Sequence, residues 1–352
     1  MPTICSRPQY VRANWLSSVL QHAGFDVEVE SFRQTNVGTG QVGQNVRFSL
    51  TYCCGQGPKS IVGKFVSDNP VSRQTGIDHN TYIKEVRFYQ MLMPTLDIRT
   101  PKIYFADIEP TSHDFSLMME DMYPASQGNQ IKGCDIQSAT LALNQLTKLH
   151  GPRWGDESLS KIDWLVPNKA EQIDSARALW DYCWAGFIER YAPALSKQQI
   201  SIANSYNAHF ANPAQPYAGP MTVTHGDYRL DNMLFNGTTQ LTVVDWQTPA
   251  LGPGAADAAY FLGTSLPSIL RNGYERTLLK GYHAALSEYP ISGYSFDDCW
   301  NDYRRFSFNG LHMAVIASMI VGRTKRGDEM FLAMASRSTQ MALELDAGEF
   351  LG

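Results

Sequence analysis

The hydrophobic positions of this chain change period part-way along it. Val11, Trp15, Leu16, Val19 and Leu20 recur at helical spacing and the pattern stops at Gly24, which predicts an amphipathic helix. A strand is expected over residues 25–32, then a glycine-rich segment at 38–43. Val46, Phe48 and Leu50 alternate with polar residues as a strand leaving that segment. After the turn Gly55-Gln56-Gly57-Pro58, residues 61–66 read as the returning strand. Tyr82, Glu85, Phe88, Tyr89 and Leu92 mark a helix over about 81–93, and the runs 102–108 and 115–119 read as two more strands.

From Cys134 onward the helical period takes over. Ala139, Leu143, Leu146 and Leu149 line a helix ending at Gly151, and Trp180, Trp184, Phe187 and Tyr191 line another. The apolar run 311–321 is too short to span a bilayer and reads as a buried helix. One island departs from this pattern: two β-rich runs, 221–224 and 241–244, separated by a polar loop and preceded by an exposed, proline-bearing connector at 212–220. The predicted class is α+β. A β-rich lobe covers residues 1–122, with a hinge at about 119–122, and a mainly helical lobe covers 123–352.

The island carries the densest chemistry. His225-Gly226-Asp227-Tyr228-Arg229-Leu230-Asp231-Asn232 is followed by Val243-Val244-Asp245-Trp246. Phosphoryl transfer from a nucleotide needs a carboxylate to orient the acceptor hydroxyl, oxygen ligands for a cation, and positive charge against the phosphates. Asp227 and Asn232, on one loop, can set such a carboxylate beside a metal ligand. Asp245, at a strand end thirteen residues after Asn232, can supply the second metal ligand. Protein kinases use the same H-x-D-x-x-x-x-N spacing with a metal-binding Asp further on.

Two upstream features stand in the order such a site requires. Gly38-Thr39-Gly40-Gln41-Val42-Gly43 matches G-x-G-x-x-G, and the strand that follows favours a phosphate-covering hairpin over a dinucleotide-binding Rossmann turn, which needs a helix there. Lys64 is a charge in an apolar strand, where it can pair with phosphates and with Glu85 of the next helix.

On these residues the chain resembles the aminoglycoside phosphotransferase and choline/ecdysteroid kinase superfamily, in which His-Gly-Asp replaces the His-Arg-Asp of protein kinases. The resemblance runs from Gly38 to Asp257 and on through Ala258-Ala259-Tyr260-Phe261-Leu262. It implies a protein-kinase-like two-lobed fold, ATP and Mg²⁺ as cofactors, Asp227 as base and Arg229 as a cation near the transferred phosphate. It also implies Asn232 and Asp245 as Mg²⁺ ligands and backbone groups near Glu120 and Met122 as adenine contacts. Asp231 and Asp257 would brace the loop, and His150 and His225 would be structural hydrogen-bonders. Asp245-Trp246-Gln247 replaces Asp-Phe-Gly, and only nine residues separate Gln247 from Asp257 with no Ala-Pro-Glu after it. That leaves little chain for docking a peptide, so a small-molecule hydroxyl is the expected acceptor.

Composition narrows the setting. The chain has 352 residues, 43% hydrophobic and 18% charged, which predicts a folded protein. Net charge is −5 with no basic run, so a nucleic-acid partner is not expected. The first residues show no basic segment followed by an apolar one, so neither a signal peptide nor a membrane partner is expected. Six cysteines lack any C-x-x-C pair, which suits reduced thiols in a cytoplasm; Cys53 and Cys54 are adjacent, so in a regular strand they would face opposite ways. Three other readings compete with the kinase: an aminoglycoside phosphotransferase proper, a non-catalytic nucleotide-binding module, and a Rossmann oxidoreductase. A polycationic aminoglycoside would need a dense acidic pocket. Asp297, Asp298 and Asp302 are the candidates, but they stand among Tyr294, Phe296, Trp300, Tyr303 and Phe306, a stripe that suits a core or an apolar, ring-containing acceptor.

Overall fold

Helix α1 (Ala13–His22) ends in hydrogen bonds that also decide where the first strand begins. The Gly24 amide donates to the Gln21 carbonyl and the Phe25 amide to that of Leu20, a two-bond helix stop. Phe25 is therefore spent on the cap, and strand β1 runs over Glu28–Asn36 instead of 25–32. The polar second half of β1 is tolerated because β1 is an edge strand with one ladder, running from Glu28 opposite Cys54 to Asn36 opposite Val46. This computed structural model describes residues 1–38, 43–166, 173–211 and 217–351.

The chain forms two compact units. The first comprises Met1–Thr95, Arg99–Ala125 and Val244–Pro249, so it extends three residues past Met122 and takes in the segment around Asp245. Strands β1, β2 (Gly43–Cys54), β3 (Ser60–Val66), β4 (Ile103–Ile108) and β5 (Phe115–Glu120) make one antiparallel sheet in the order β1-β2-β3-β5-β4. Helices α2 (Pro70–Asp78) and α3 (Thr81–Arg87) follow β3, and α3 continues as a wider turn through Leu92. The predicted helix over 81–93 is thus present, but split by this change of winding. Leu16, Val19 and Leu20 of α1 pack with Val46, Phe48, Ile61, Phe65 and Met118 of the sheet in one core. Truncating such a buried ring, as in Phe48→Ala, costs about 3–5 kcal/mol.

The second unit comprises Leu96–Ile98, Ser126–Val243 and Ala250–Gly352 and is mostly helical. Its helices are α4 (Ile136–His150), α5 (Ile173–Tyr191), α6 (Lys197–Ala211), α7 (Gly254–Ser265), α8 (Ser268–Leu286), α9 (Phe296–Arg305), α10 (Asn309–Ile320) and α11 (Lys325–Glu344). The predicted β-island holds more strands than the two apolar runs suggest, and those two do not pair with each other. β7 (Thr222–Thr224) pairs with β10 (Ala250–Gly252), while β9 (Gln240–Val243) pairs with β8 (Met233–Asn236), which in turn pairs with β6 (Ser126–Gln127). Of the connector at 212–220, residues 212–216 lie outside the described residues; Ala218 and Gly219 are exposed. Among the described residues no helix is long and apolar enough to cross a membrane.

Helix α7 is enclosed along nearly its whole length. Every residue in it except Ala256 is buried. A helix enclosed on all sides must partner whatever polar groups it carries. Asp257 and Tyr260, three residues apart on one face, are such groups.

Candidate active site

In the first unit, β3 places Lys64 between Asn45 of β2 and Leu117 of β5. Its ammonium donates to Glu85 Oε1 and to Asp245 Oδ1, both at 2.8 Å, and stands 2.7 Å from Glu85 Oε2 as an ion pair. The Lys64 and Glu85 side chains are 8% and 1% exposed, whereas that of Asp245 is 35% exposed. Burial pulls the ammonium toward neutrality, but Asp245 and then Glu85 outweigh it, so its pKa is raised and the charge secured. Glu85 shares that one ammonium with a second acid, and burial keeps its carboxyl above the usual range despite Lys64.

Asp245 sits at φ 68°, a left-handed conformation uncommon away from glycine. The next side chain, Trp246, is fully buried and stacks on Phe88 at 3.8 Å with 4° between the rings. That stack anchors the Asp245 segment to the turn that continues α3, the helix of Glu85. Gly38 and Gly43 flank the glycine-rich segment, and Gly40 lies outside the described residues. A Cβ at Gly43 would come within 3.2 Å of Lys64 Cε, so this position accommodates the lysine stem.

The hinge positions lie at the end of β5. The Glu120 amide donates to the Lys102 carbonyl at 2.8 Å, its carboxylate accepts from the Lys102 amide at 3.2 Å, and the Met122 carbonyl accepts from the Ala125 amide at 2.8 Å. Between them Asp121 accepts both forks of Arg47 at 2.6 and 2.9 Å and the Ser60 hydroxyl at 2.6 Å. Burial opposes ionisation there, yet Arg47 and Ser60 hold the Asp121 carboxyl below its ordinary range.

In the second unit the residues of the 225–232 loop close on Asp227. Its carboxylate accepts Arg229 Nε at 2.9 and 3.0 Å, the Tyr260 hydroxyl at 2.7 Å and Asn232 Nδ2 at 2.9 Å. Asn232 Nδ2 also donates to the Asp227 carbonyl at 2.9 Å, closing the loop on itself. Arg229 reaches on to Asp231 Oδ2 at 3.1 Å, and Asp231 accepts Arg326 Nη2 on both oxygens at 2.9 Å. Burial of Arg229 is overcome by Asp227, Tyr260 and Asp231, so its pKa is raised. Burial first, then the Asp227 charge, raises Tyr260 well above an ordinary phenol, so it stays a donor.

The loop backbone is held from α7. Asp257 accepts the His225 amide at 2.7 Å and the Gly226 amide at 3.1 Å, and it meets His150 Nε2 at 3.3 Å. His150 in turn contacts the Tyr282 hydroxyl at 2.7 Å. His225 accepts the Asp227 amide on Nδ1 at 3.2 Å. Gln130 adds a further clamp: its Oε1 accepts the Leu230 amide at 2.9 Å and its backbone N–H donates to Asp231 Oδ1 at 3.1 Å. The sequence motifs single out neither Tyr260, Gln130 nor Arg326 for the site. Tyr260 leaves a trace in the three-residue offset from Asp257; the other two stand roughly a hundred residues from the loop and leave none.

Two of the three acidic candidates for polycation binding are otherwise engaged. Asp298 caps α9 with Ser295, accepting its amide at 2.8 Å and its hydroxyl at 2.6 Å. Asp302 accepts the hydroxyls of Tyr217 and Tyr294 at 2.8 and 3.0 Å, and burial raises its carboxyl despite them. Tyr303 is buried on Glu275, while Phe296 and Trp300 lie under Arg276, so the aromatic stripe packs against a cation and its own core.

Comparison with known proteins bears out the resemblance read from the sequence. Residues 142–292 match the model of the phosphotransferase enzyme family. A curated mouse protein, acyl-CoA dehydrogenase family member 10 (Mus musculus), is 34% identical over 118 residues, covering 30% of this chain and 11% of that protein. The chain thus spans a small part of that relative's length. Among solved structures, a candidate aminoglycoside phosphotransferase from Ralstonia eutropha superposes with a TM-score of 0.54 at 14% identity, over 95% of this chain and 97% of that one. The GDP complex of aminoglycoside 2'-phosphotransferase-IIIa superposes with a TM-score of 0.53 at 13% identity, over 93% and 99%. At such identities the likeness establishes the fold, a two-lobed protein-kinase-like α+β architecture.

Proposed function

We propose that this chain is an ATP- and Mg²⁺-dependent small-molecule kinase that moves the γ-phosphate of ATP to a hydroxyl group. The observation that carries the reading is the buried Lys64 ammonium shared by two carboxylates, one enclosed (Glu85) and one partly open (Asp245). Two buried charges joined to a third that is partly open, with a left-handed backbone at the third, are costly unless they serve a ligand. Lys64 offers its charge to the nucleotide phosphates, with Gly38, Gly40 and Gly43 covering them and Glu120 and Met122 contributing backbone to the base.

The donor set suits Mg²⁺, a hard cation that takes oxygen ligands. Asp245 offers a carboxylate. Asn232 has spent its amide nitrogen on Asp227, so the atom it has to offer a cation is oxygen. When bound there, Mg²⁺ supplies positive charge against the phosphate oxygens. Asp227 receives the hydrogen bond of the acceptor hydroxyl and takes its proton as the new P–O bond forms and the bond to the leaving ADP breaks. Arg229 acts through Asp227 by fixing its carboxylate, which makes it a positioning residue in this reading.

The acceptor in this reading is a hydroxylated metabolite, which is favoured over a polycation because two of the three candidate acids, Asp298 and Asp302, are engaged by hydrogen bonds of their own. None of the six cysteines forms a disulfide, which supports a reducing compartment such as the cytoplasm. The test is ATP consumption across a panel of alcohols, amino alcohols, sugars, sterols and aminoglycosides, with Asp227→Asn as the control. Turnover of at least one hydroxyl acceptor that is lost in the variant is expected. Absence of turnover across the panel, with ATP–Mg²⁺ still bound, would favour a non-catalytic module.

A further inference from the structure

Strand β2 opens at Gly43 and ends, 11 residues on and thus about 36 Å away at strand rise, in two adjacent cysteines. Regular alternation would point Cys53 and Cys54 to opposite faces, as the sequence alone leads one to expect. The ladder breaks that alternation. Glu28 stands opposite Cys54 and Val29 opposite Tyr52, so Cys53 is an extra residue with no partner of its own, a β-bulge.

The bulge brings both sulfurs together with a carboxylate. Cys53 Sγ, Cys54 Sγ and a Glu28 carboxylate oxygen all lie within 4.8 Å of one another, and all three residues are exposed. Cys53 Sγ lies 3.5 Å from the Glu28 carbonyl and 3.7 Å from Glu28 Oε2. The turn after Cys54 fixes this arrangement: Gly55 has φ 76°, and a Cβ there would collide with the Asp26 carbonyl. The backbone carrying Cys54 therefore lies directly against the backbone carrying Glu28.

We propose that Glu28, Cys53 and Cys54 form a binding site for one borderline-to-soft divalent cation, Zn²⁺ in the first instance, with solvent as the fourth ligand. Zn–S bonds of about 2.3 Å and Zn–O bonds of about 2.0–2.2 Å in a tetrahedron set neighbouring ligand atoms roughly 3.3–3.8 Å apart. The 3.7 Å between Cys53 Sγ and Glu28 Oε2 already meets that spacing, and no two of the three ligand atoms stand more than 4.8 Å apart. Two thiols and a carboxylate select Zn²⁺ or Cd²⁺ over Mg²⁺ and Ca²⁺, so the site does not compete with the kinase for its cation. On binding, each thiol gives its proton to solvent and its sulfur lone pair forms the metal–sulfur bond, so affinity rises with pH.

The experiment titrates the full chain with Cd²⁺ under a phosphine reductant, follows the thiolate-to-metal ultraviolet band, and then displaces Cd²⁺ with Zn²⁺. A single tight site per chain with release of protons is expected. Cys53→Ser should weaken it on the order of 100-fold, and Glu28→Gln about tenfold, since each removes one of the few ligands to the ion. Both substitutions are at exposed positions, and an unchanged melting temperature of the metal-free variants verifies the fold. Undiminished binding in Cys53→Ser/Cys54→Ser would move the metal to other thiols and overturn the proposal. So would wild-type affinity no higher than that of a short Cys-Cys peptide.

Discussion

Asp227 and Asp245 are carboxylates that each follow a short strand, yet they are built in opposite ways. Asp227 is held mainly by its own loop: Arg229 two residues on, Asn232 five residues on, with Tyr260 as its distant donor among the described residues. Asp245 is held by Lys64, 181 residues earlier, and by the stack of its neighbour Trp246 on Phe88. A carboxylate set by local contacts is specified as soon as its loop forms. One set by distant contacts exists only when the sheet and α3 are complete, so it ties activity to folding. The two should therefore respond differently to mutation.

The largest effect is expected at Asp245. Asp245→Asn keeps the shape but removes the charge offered to the cation, and loss of several kcal/mol of transition-state stabilisation lowers kcat on the order of 10⁴-fold. Steady-state kinetics at saturating Mg²⁺ checks it; a near-normal kcat would remove Asp245 from the metal role. Asp227→Asn is expected to lower kcat by about 10²–10⁴ while ATP–Mg²⁺ still binds, because in the proposed reaction it acts on the acceptor hydroxyl. Single-turnover transfer beside calorimetric ATP binding separates rate from affinity. Equal loss of both would erase the distinction between the two carboxylates.

Lys64 probes the long-range half through stability. Lys64→Met leaves Glu85 without its ammonium in a site where that carboxylate is 1% exposed, and breaking a buried pair from one side costs about 3–5 kcal/mol. Adding Glu85→Gln should return part of that stability without returning ATP use. Denaturant unfolding of both variants decides this. A single variant as stable as wild type would mean that the trio is not a folding constraint.

The same contrast explains what could be read from the residues alone. The loop from His225 to Asn232 is legible because its contacts are encoded at fixed short offsets. Lys64 is legible as a charge in an apolar strand, but its meeting with Asp245 depends on sheet register that no local pattern states. Strand β1 is displaced from the expected 25–32 because the Phe25 amide closes a helix instead of a ladder. The convergence of Cys53 and Cys54 comes from a bulge opposite Glu28, invisible to a rule of strict alternation.

Tyr260 offers the finest test, because among the described residues it is the donor to the Asp227 carboxylate that does not come from the loop. Its hydroxyl, 2.7 Å from Asp227 Oδ1, reaches out of a helix buried on nearly every side. Tyr260→Phe removes the oxygen and keeps the ring, so packing of α7 is preserved. The Asp227 carboxylate retains Arg229 and Asn232 and loses one donor, and one hydrogen bond is worth about 0.5–1.5 kcal/mol net, or roughly two- to twelvefold in rate. The effect should fall on kcat and leave the KM for ATP unchanged. Its phenol is pushed above the ordinary value by burial and by the Asp227 charge, so it remains protonated through neutral pH. The variant should therefore lower the pH–rate profile without adding or removing a limb on the acid or neutral side. A loss as large as that of Asp227→Asn would make the carboxylate's orientation depend on α7 and not on its loop, and the local half of the comparison would fail.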